Sequence, residues 1–179
     1  MYWDKKGQEC TEDTVHMAIQ AAKEKGIQFV VVASNTGATA KLFAHKNLKV
    51  VCVTHVNGFV NPGENEMSIE SRSMLEALGI KVLTTTHVLS GAERALSSKF
   101  GGIYPIEIIA NTLRMFGQGV KVGVEIATMA LDSGLIPFGE SIIVVGGSGR
   151  GADSAIILKP AHSKDILSTR IEEIICKPR

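Results

Sequence analysis

Phe29-Val30-Val31-Val32-Ala33-Ser34-Asn35-Thr36-Gly37-Ala38-Thr39-Ala40 is the stretch of this 179-residue sequence that decides the fold. A β-branched run enters a small, hydroxyl-rich loop, and the loop feeds a helix. The run reads as a strand buried on both faces. In such a strand–loop–helix turn, successive backbone N–H groups converge at the positive end of the following helix. Ser34, Thr36 and Thr39 add hydroxyl donors, and Gly37 removes the Cβ that would keep an anion from the backbone. Two readings stand at this point: a phosphate cradle, or a Ser34 or Thr36 cap on the helix.

Outward from that stretch, composition sets limits. The chain is long enough for one domain with a substantial core. With 19 basic and 18 acidic residues the net charge is +1. No basic excess points to nucleic acid, and no charged tail or spanning apolar run points to a membrane. Met1-Tyr2-Trp3-Asp4-Lys5-Lys6 lacks an apolar leader core, so a cytoplasmic location is expected. Cys10, Cys52 and Cys176 are widely spaced and form no C-x-x-C pair, which predicts free thiols. Cys52, inside a strand, reads as a small hydrophobe. The five histidines show no metal-ligand spacing.

Before the opening strand, Thr11 starts a helix with Glu12 and Asp13 in its first turn. Val15, Ala18, Ile19 and Ala22 form its apolar stripe, Gly26 ends it, and His16 lies beside the stripe. After the opening loop, a short helix runs through Ala40, Phe43 and Ala44 to Asn47. Lys49–Thr54 is the second strand, ending at Thr54-His55-Val56-Asn57-Gly58. The loop through Asn61-Pro62-Gly63-Glu64-Asn65 predicts a lid or a surface excursion. Met67, Met74, Leu75 and Leu78 mark a helix stopped by Gly79. Ile80–Leu83 is the third strand, followed by Thr84-Thr85-Thr86-His87. This alternation predicts parallel strands joined by right-handed crossovers.

From Val88 to Gly119 the alternation gives way to a helical insertion. Ser90 is placed to cap one helix, and Pro105 opens another with Ile106, Ile109, Ala110 and Leu113 as its stripe. Val120–Asp132 is apolar nearly all round, which predicts burial within the fold or against another subunit. Glu140–Val145 is a strand, and it meets Gly146-Gly147-Ser148-Gly149-Arg150-Gly151-Ala152-Asp153-Ser154. Because Ala155–Lys159 is strand again, this loop is no dinucleotide fingerprint: its spacing is wrong and no helix follows. It reads either as a hairpin turn or as a second anion loop with Arg150 as a charged clamp. Arg170–Cys176 reads as an edge strand or a short helix.

At these two loops the sequence resembles the C-terminal α/β domain of pyruvate kinases. Ser34–Ala40 is similar to that domain's T-x-S-G-x-S-A phosphate loop. Val122–Gly134 followed by Gly139-Glu140-Ser141-Ile142-Ile143-Val144-Val145-Gly146-Gly147 resembles its helix, its G-D-x-V-I-V-x-x-G strand and its effector loop. Ser148–Ser154 is similar to the G-S-G-x-T-N stretch. The whole pattern looks most like the family's standalone members from archaea and some bacteria. The resemblance implies a three-layer α/β fold with a mostly parallel sheet, helices on both faces and an antiparallel edge strand. It implies flavin mononucleotide (FMN) as ligand and no pyruvate kinase activity, since the chain has no room for the catalytic barrel. An effector-sensing module for a sugar phosphate or nucleotide, acting through a partner or oligomer, is the alternative.

In an open α/β sheet, ligands bind beyond the carboxyl ends of the strands, near the switch in strand order. The expected site therefore has a phosphate on Ser34, Thr36, Gly37 and Thr39, with Asn35 and Ala38 in the same ligand-binding loop. Gly147, Ser148, Gly149, Arg150 and Gly151 close over the ligand. His55, Asn57, Thr86 and His87 line its ring or sugar end. His55 and His87 are the side chains best suited to proton transfer near neutrality, but no nearby spacing supplies a carboxylate to orient them. Self-association is expected from the apolar Val120–Asp132 helix.

Overall fold

Alternating side chains of the opening strand, β2 (Phe29–Ala33), face opposite layers of the molecule, as the pleat requires. A computed structural model describes residues 1–179. Val30 and Val32 point into one core with Val15, Ala18 and Ala22 of α1 (Thr11–Lys25). That core also holds Phe43 and Leu75, the latter from α3 (Ile69–Ala77). Val31 points the other way, onto Val120, Val124 and Ala127 of α6 (Gln118–Asp132). Each valine, leucine or phenylalanine so buried contributes about 1.5–3 kcal/mol relative to exposure. A strand buried on both faces, with a helical layer on each side, follows directly from the unbroken valine run.

The remaining strands are β1 (Tyr2–Trp3), β3 (Lys49–Val53), β4 (Lys81–Leu83), β5 (Ile142–Gly146), β6 (Ser154–Lys159) and β7 (Arg170–Pro178). They form one seven-stranded sheet in the order β1-β7-β6-β5-β2-β3-β4. β2 pairs in parallel with β3 on one side and β5 on the other, at Ala33↔Val53 and Val32↔Val145. The chain winds outward through β3 and β4, then returns across β2 to β5, so the switch in strand order lies between β2 and β5. β6 is antiparallel to both β5 and β7, while β1 pairs in parallel with β7. The antiparallel strand therefore lies inside the sheet, because β7 and the two residues of β1 extend it further. Arg170–Pro178 is strand rather than helix.

Local chemistry accounts for most element ends. Gly26 takes the left-handed conformation after α1, with φ 67°. Ser68 caps α3 by accepting the Ser71 N–H. The helix expected through Ala44 is shorter: α2 spans Ala38–Lys41 and gives way to turns, with His45 and Asn47 at positive φ. α4 (Gly91–Phe100) and α5 (Pro105–Arg114) make up the helical insertion. Pro105 opens α5 as expected, whereas the Ser90 side chain makes no capping bond. α6 approaches the sheet closely because it carries glycine there. A Cβ on Gly119 would stand 2.2 Å from Ser154 Oγ, and one on Gly123 2.9 Å from Ile156 Cδ1. The sheet covers α6 on one side and α5 packs on another, so its apolar surface is buried within the chain. No helix is long and apolar enough to cross a membrane.

Candidate functional site

Beyond β2 the backbone turns from strand to helix in four residues. Ser34 donates its N–H to the Val53 carbonyl of β3, and its buried hydroxyl accepts the Thr39 N–H at 3.2 Å. Between these two anchors, the N–H groups of Asn35, Thr36 and Gly37 find no acceptor within the protein. Thr36 and Ala38 are exposed, Asn35 is half-buried and Thr39 is buried. A row of successive N–H donors at a helix start is an anion-binding concavity. Gly37 serves packing as much as access. Its φ is 88°, and a Cβ there would stand 2.8 Å from Leu75 Cδ1 of α3. Thus Ser34 braces the cradle, and Gly37 seats it on the core.

The glycine loop after β5 lies at the same sheet end, next to β2 by the Val32↔Val145 register. Much of its backbone is already committed. Asp153, fully buried, accepts the N–H groups of Ser148 at 3.0 Å and Gly7 at 2.8 Å through Oδ2, and the Ser154 hydroxyl through Oδ1. The Ala152 N–H donates to Thr11 Oγ1. Gly147 and Gly151 pack back to back, since a Cβ on Gly147 would stand 2.4 Å from the Gly151 carbonyl. Gly149 and Arg150 are exposed, and the Arg150 guanidinium has no intramolecular partner.

Past β3 and β4, a cavity of about 140 Å³ opens between these strand ends and α4, α5 and α6. Asn35, His55 and His87 line it; Ser34, Thr36, Gly37, Ala38 and Thr39, together with Asn57, Thr86 and residues 147–151, do not. Asn57 and Thr86 are exposed, and Asn57 Oδ1 accepts the Asn65 side-chain amide at 2.9 Å. Asn35 therefore belongs to both the N–H cradle and the cavity wall.

The loop that follows β3 folds back over this cavity. His55 Nδ1 meets Glu66 Oε2 at 2.5 Å, and the His55 ring stacks on Phe59 at 3.7 Å. The His87 ring lies 5.5 Å from the His55 ring. The Val56 N–H points at His87 Nε2 at 3.4 Å, which makes that nitrogen an acceptor and the ring neutral. Burial pushes the His87 pKa down from its ordinary 6.5, a direction that His55, Lys121 and Arg94 reinforce and Glu125 opposes. Lys121 and Glu125, both buried, pair at 2.5 Å, and Glu125 Oε1 also accepts the Leu89 N–H.

Glu66, Lys121 and Glu125 were not expected at the site. Glu66 supplies the carboxylate that no short spacing offered His55, because the 56–65 loop brings it back across eleven residues. Lys121 and Glu125 did leave a signal. They are the only charged residues between Val120 and Leu131, one helical turn apart on an otherwise apolar helix. The three cysteines are buried free thiols, and burial pushes Cys52 up to about 12.

A family model described as the pyruvate kinase alpha/beta domain matches residues 12–158. Among solved structures, a pyruvate kinase from Cryptosporidium parvum is 16% identical over 83% of this chain and 22% of that chain, with a TM-score of 0.44. The Cryptosporidium parvum enzyme solved in complex with ADP is 16% identical over 82% of this chain and 22% of its own, with a TM-score of 0.41. The chain spans about a fifth of the length of these kinases.

Proposed function

The chain belongs to the pyruvate kinase alpha/beta domain family, and from that premise we propose that it binds a phosphorylated small molecule, flavin mononucleotide, without transferring its phosphate. The observation that carries this reading is the row of N–H groups on Asn35, Thr36 and Gly37 with no acceptor in the protein. Three successive N–H donors without a protein acceptor, at the turn into a helix, suit the oxygens of one phosphate group. The Thr36 hydroxyl and Ala38 stand at the surface beside them, while Ser34 and Thr39 hold the turn in shape.

The rest of the ligand belongs at the switch between β2 and β5. Gly147, Ser148, Gly149, Arg150 and Gly151 flank it there, with Arg150 free to reach an anion. His55, Asn57, Thr86 and His87 flank the opposite end. A cavity of about 140 Å³ is close in size to one that holds a single benzene ring. The three fused rings of a flavin thus belong in the open crevice above the cavity. Bound flavin supplies redox chemistry; the chain's own part is to fix the phosphate and present His55 and His87 beside the ring. Self-association is part of the same proposal. Its surface is the insertion, where Phe100, Ile103, Met115 and Phe116 are more than half exposed.

The cradle is tested by quenching of flavin fluorescence. Thr36→Val removes a surface hydroxyl donor, and Ala38→Glu places a carboxylate beside the N–H groups. FMN affinity is expected to fall about tenfold in the first variant, one charge-assisted hydrogen bond, and further in the second. Unchanged affinity in both variants contradicts the placement.

A further inference from the structure

The cavity beside the cradle has a polarity of its own that a phosphate ligand does not use. The apolar part of its floor is Val53, Ile126 and Met129, and the same buried lining also holds Thr54 and the Lys121–Glu125 pair. Its mouth carries two exposed guanidinium groups, Arg94 and Arg114. Neither has a carboxylate partner. Arg94 makes no side-chain bond, and Arg114 donates only to the neutral Gln118 and Asn111 at 2.9 and 2.8 Å. The one acidic side chain lining the cavity, Glu125, is already paired with Lys121.

We propose that this cavity binds a small organic monocarboxylate, its apolar stem on the floor and its carboxylate between Arg94 and Arg114. Guanidinium groups recognise planar carboxylates through paired N–H donors. The size of the cavity limits the stem to about one ring. A free phosphate has no apolar part to place on Val53, Ile126 and Met129, so the cavity favours a carboxylate that carries a stem. The anion lies next to His55, held by Glu66, and to neutral His87. Those two rings are then the groups placed to exchange a proton with it. This extends the phosphate-ligand reading without depending on it.

Flavin-free protein titrated with benzoate in a calorimeter and by NMR of the histidine ring nitrogens tests the proposal. Saturable one-to-one binding is expected, with the His87 titration midpoint moving upward as the bound anion favours the protonated ring. Arg94→Gln/Arg114→Gln, at two exposed positions, is expected to weaken benzoate about tenfold and leave the melting temperature unchanged. Benzyl alcohol and inorganic phosphate are each expected to bind at least tenfold more weakly than benzoate. Thr36→Val is expected to bind benzoate normally, so loss of FMN and loss of the carboxylate are separable results. Equal affinity for benzoate and benzyl alcohol, tighter binding of phosphate, or an unaffected double variant overturns the proposal.

Discussion

Replacing Asp153 by alanine is expected to lower the unfolding free energy by about 3 kcal/mol or more. The carboxylate is fully buried and accepts three donors: the Gly7 N–H, the Ser148 N–H and the Ser154 hydroxyl. Its backbone carbonyl accepts Trp3 Nε1 at 2.9 Å. One residue thus ties the N-terminal segment, the glycine loop and the start of β6 together. Alanine leaves two backbone donors without an acceptor, each worth about 1–3 kcal/mol in a buried setting. Asp153→Asn keeps the volume and one acceptor oxygen, so about half the loss is expected. Urea denaturation gives the magnitude, and amide exchange gives the place: Gly7 and Ser148 should lose protection before the β2–β5 core does. A loss below about 1 kcal/mol in the alanine variant, or uniform exchange, contradicts the role assigned to Asp153.

Lys121→Met is expected to destabilise the fold by about 3–5 kcal/mol, because it strands the Glu125 charge in the interior. Both residues are only 5% exposed, and the bond between them is 2.5 Å. The loss is expected to be largely recovered in Lys121→Met/Glu125→Gln, where a neutral acceptor remains for the Leu89 N–H. Lys121→Met/Glu125→Leu should recover less, by about 1–3 kcal/mol, since that N–H is then orphaned. Thermal or urea denaturation of the three variants measures the series. An equal effect in all three contradicts a buried charge pair as the cause.

Much of this architecture is written locally. The valines of β2, the stripe of α1, Pro105 of α5 and the left-handed Gly26 each act through neighbours within a few residues. The strand return after the second glycine loop was legible because Ala155–Lys159 repeats strand chemistry where a dinucleotide fold needs a helix. What the sequence did not reveal depends on long-range closure. β1 exists only because Tyr2 and Trp3 meet Lys177 and Pro178. Glu66 reaches His55 only because the intervening loop folds back. The glycines of the second loop looked like anion donors, and several are explained by packing and by Asp153 instead. The first loop is the reverse case. Its composition fitted a helix cap, and Ser34 does accept the Thr39 N–H, yet three neighbouring N–H groups remain unclaimed.

Those three donors define the most direct measurement, a comparison of FMN with riboflavin on flavin-free protein. The two ligands share every atom of the ring and ribityl chain, and only FMN has the phosphate. Hydrogen bonds to a charged group contribute about 1.5–3 kcal/mol each, so two of the three N–H contacts set a minimum of about 100-fold tighter binding for FMN. Affinities within about threefold of one another, about 0.7 kcal/mol, would contradict a phosphate site at Asn35–Gly37.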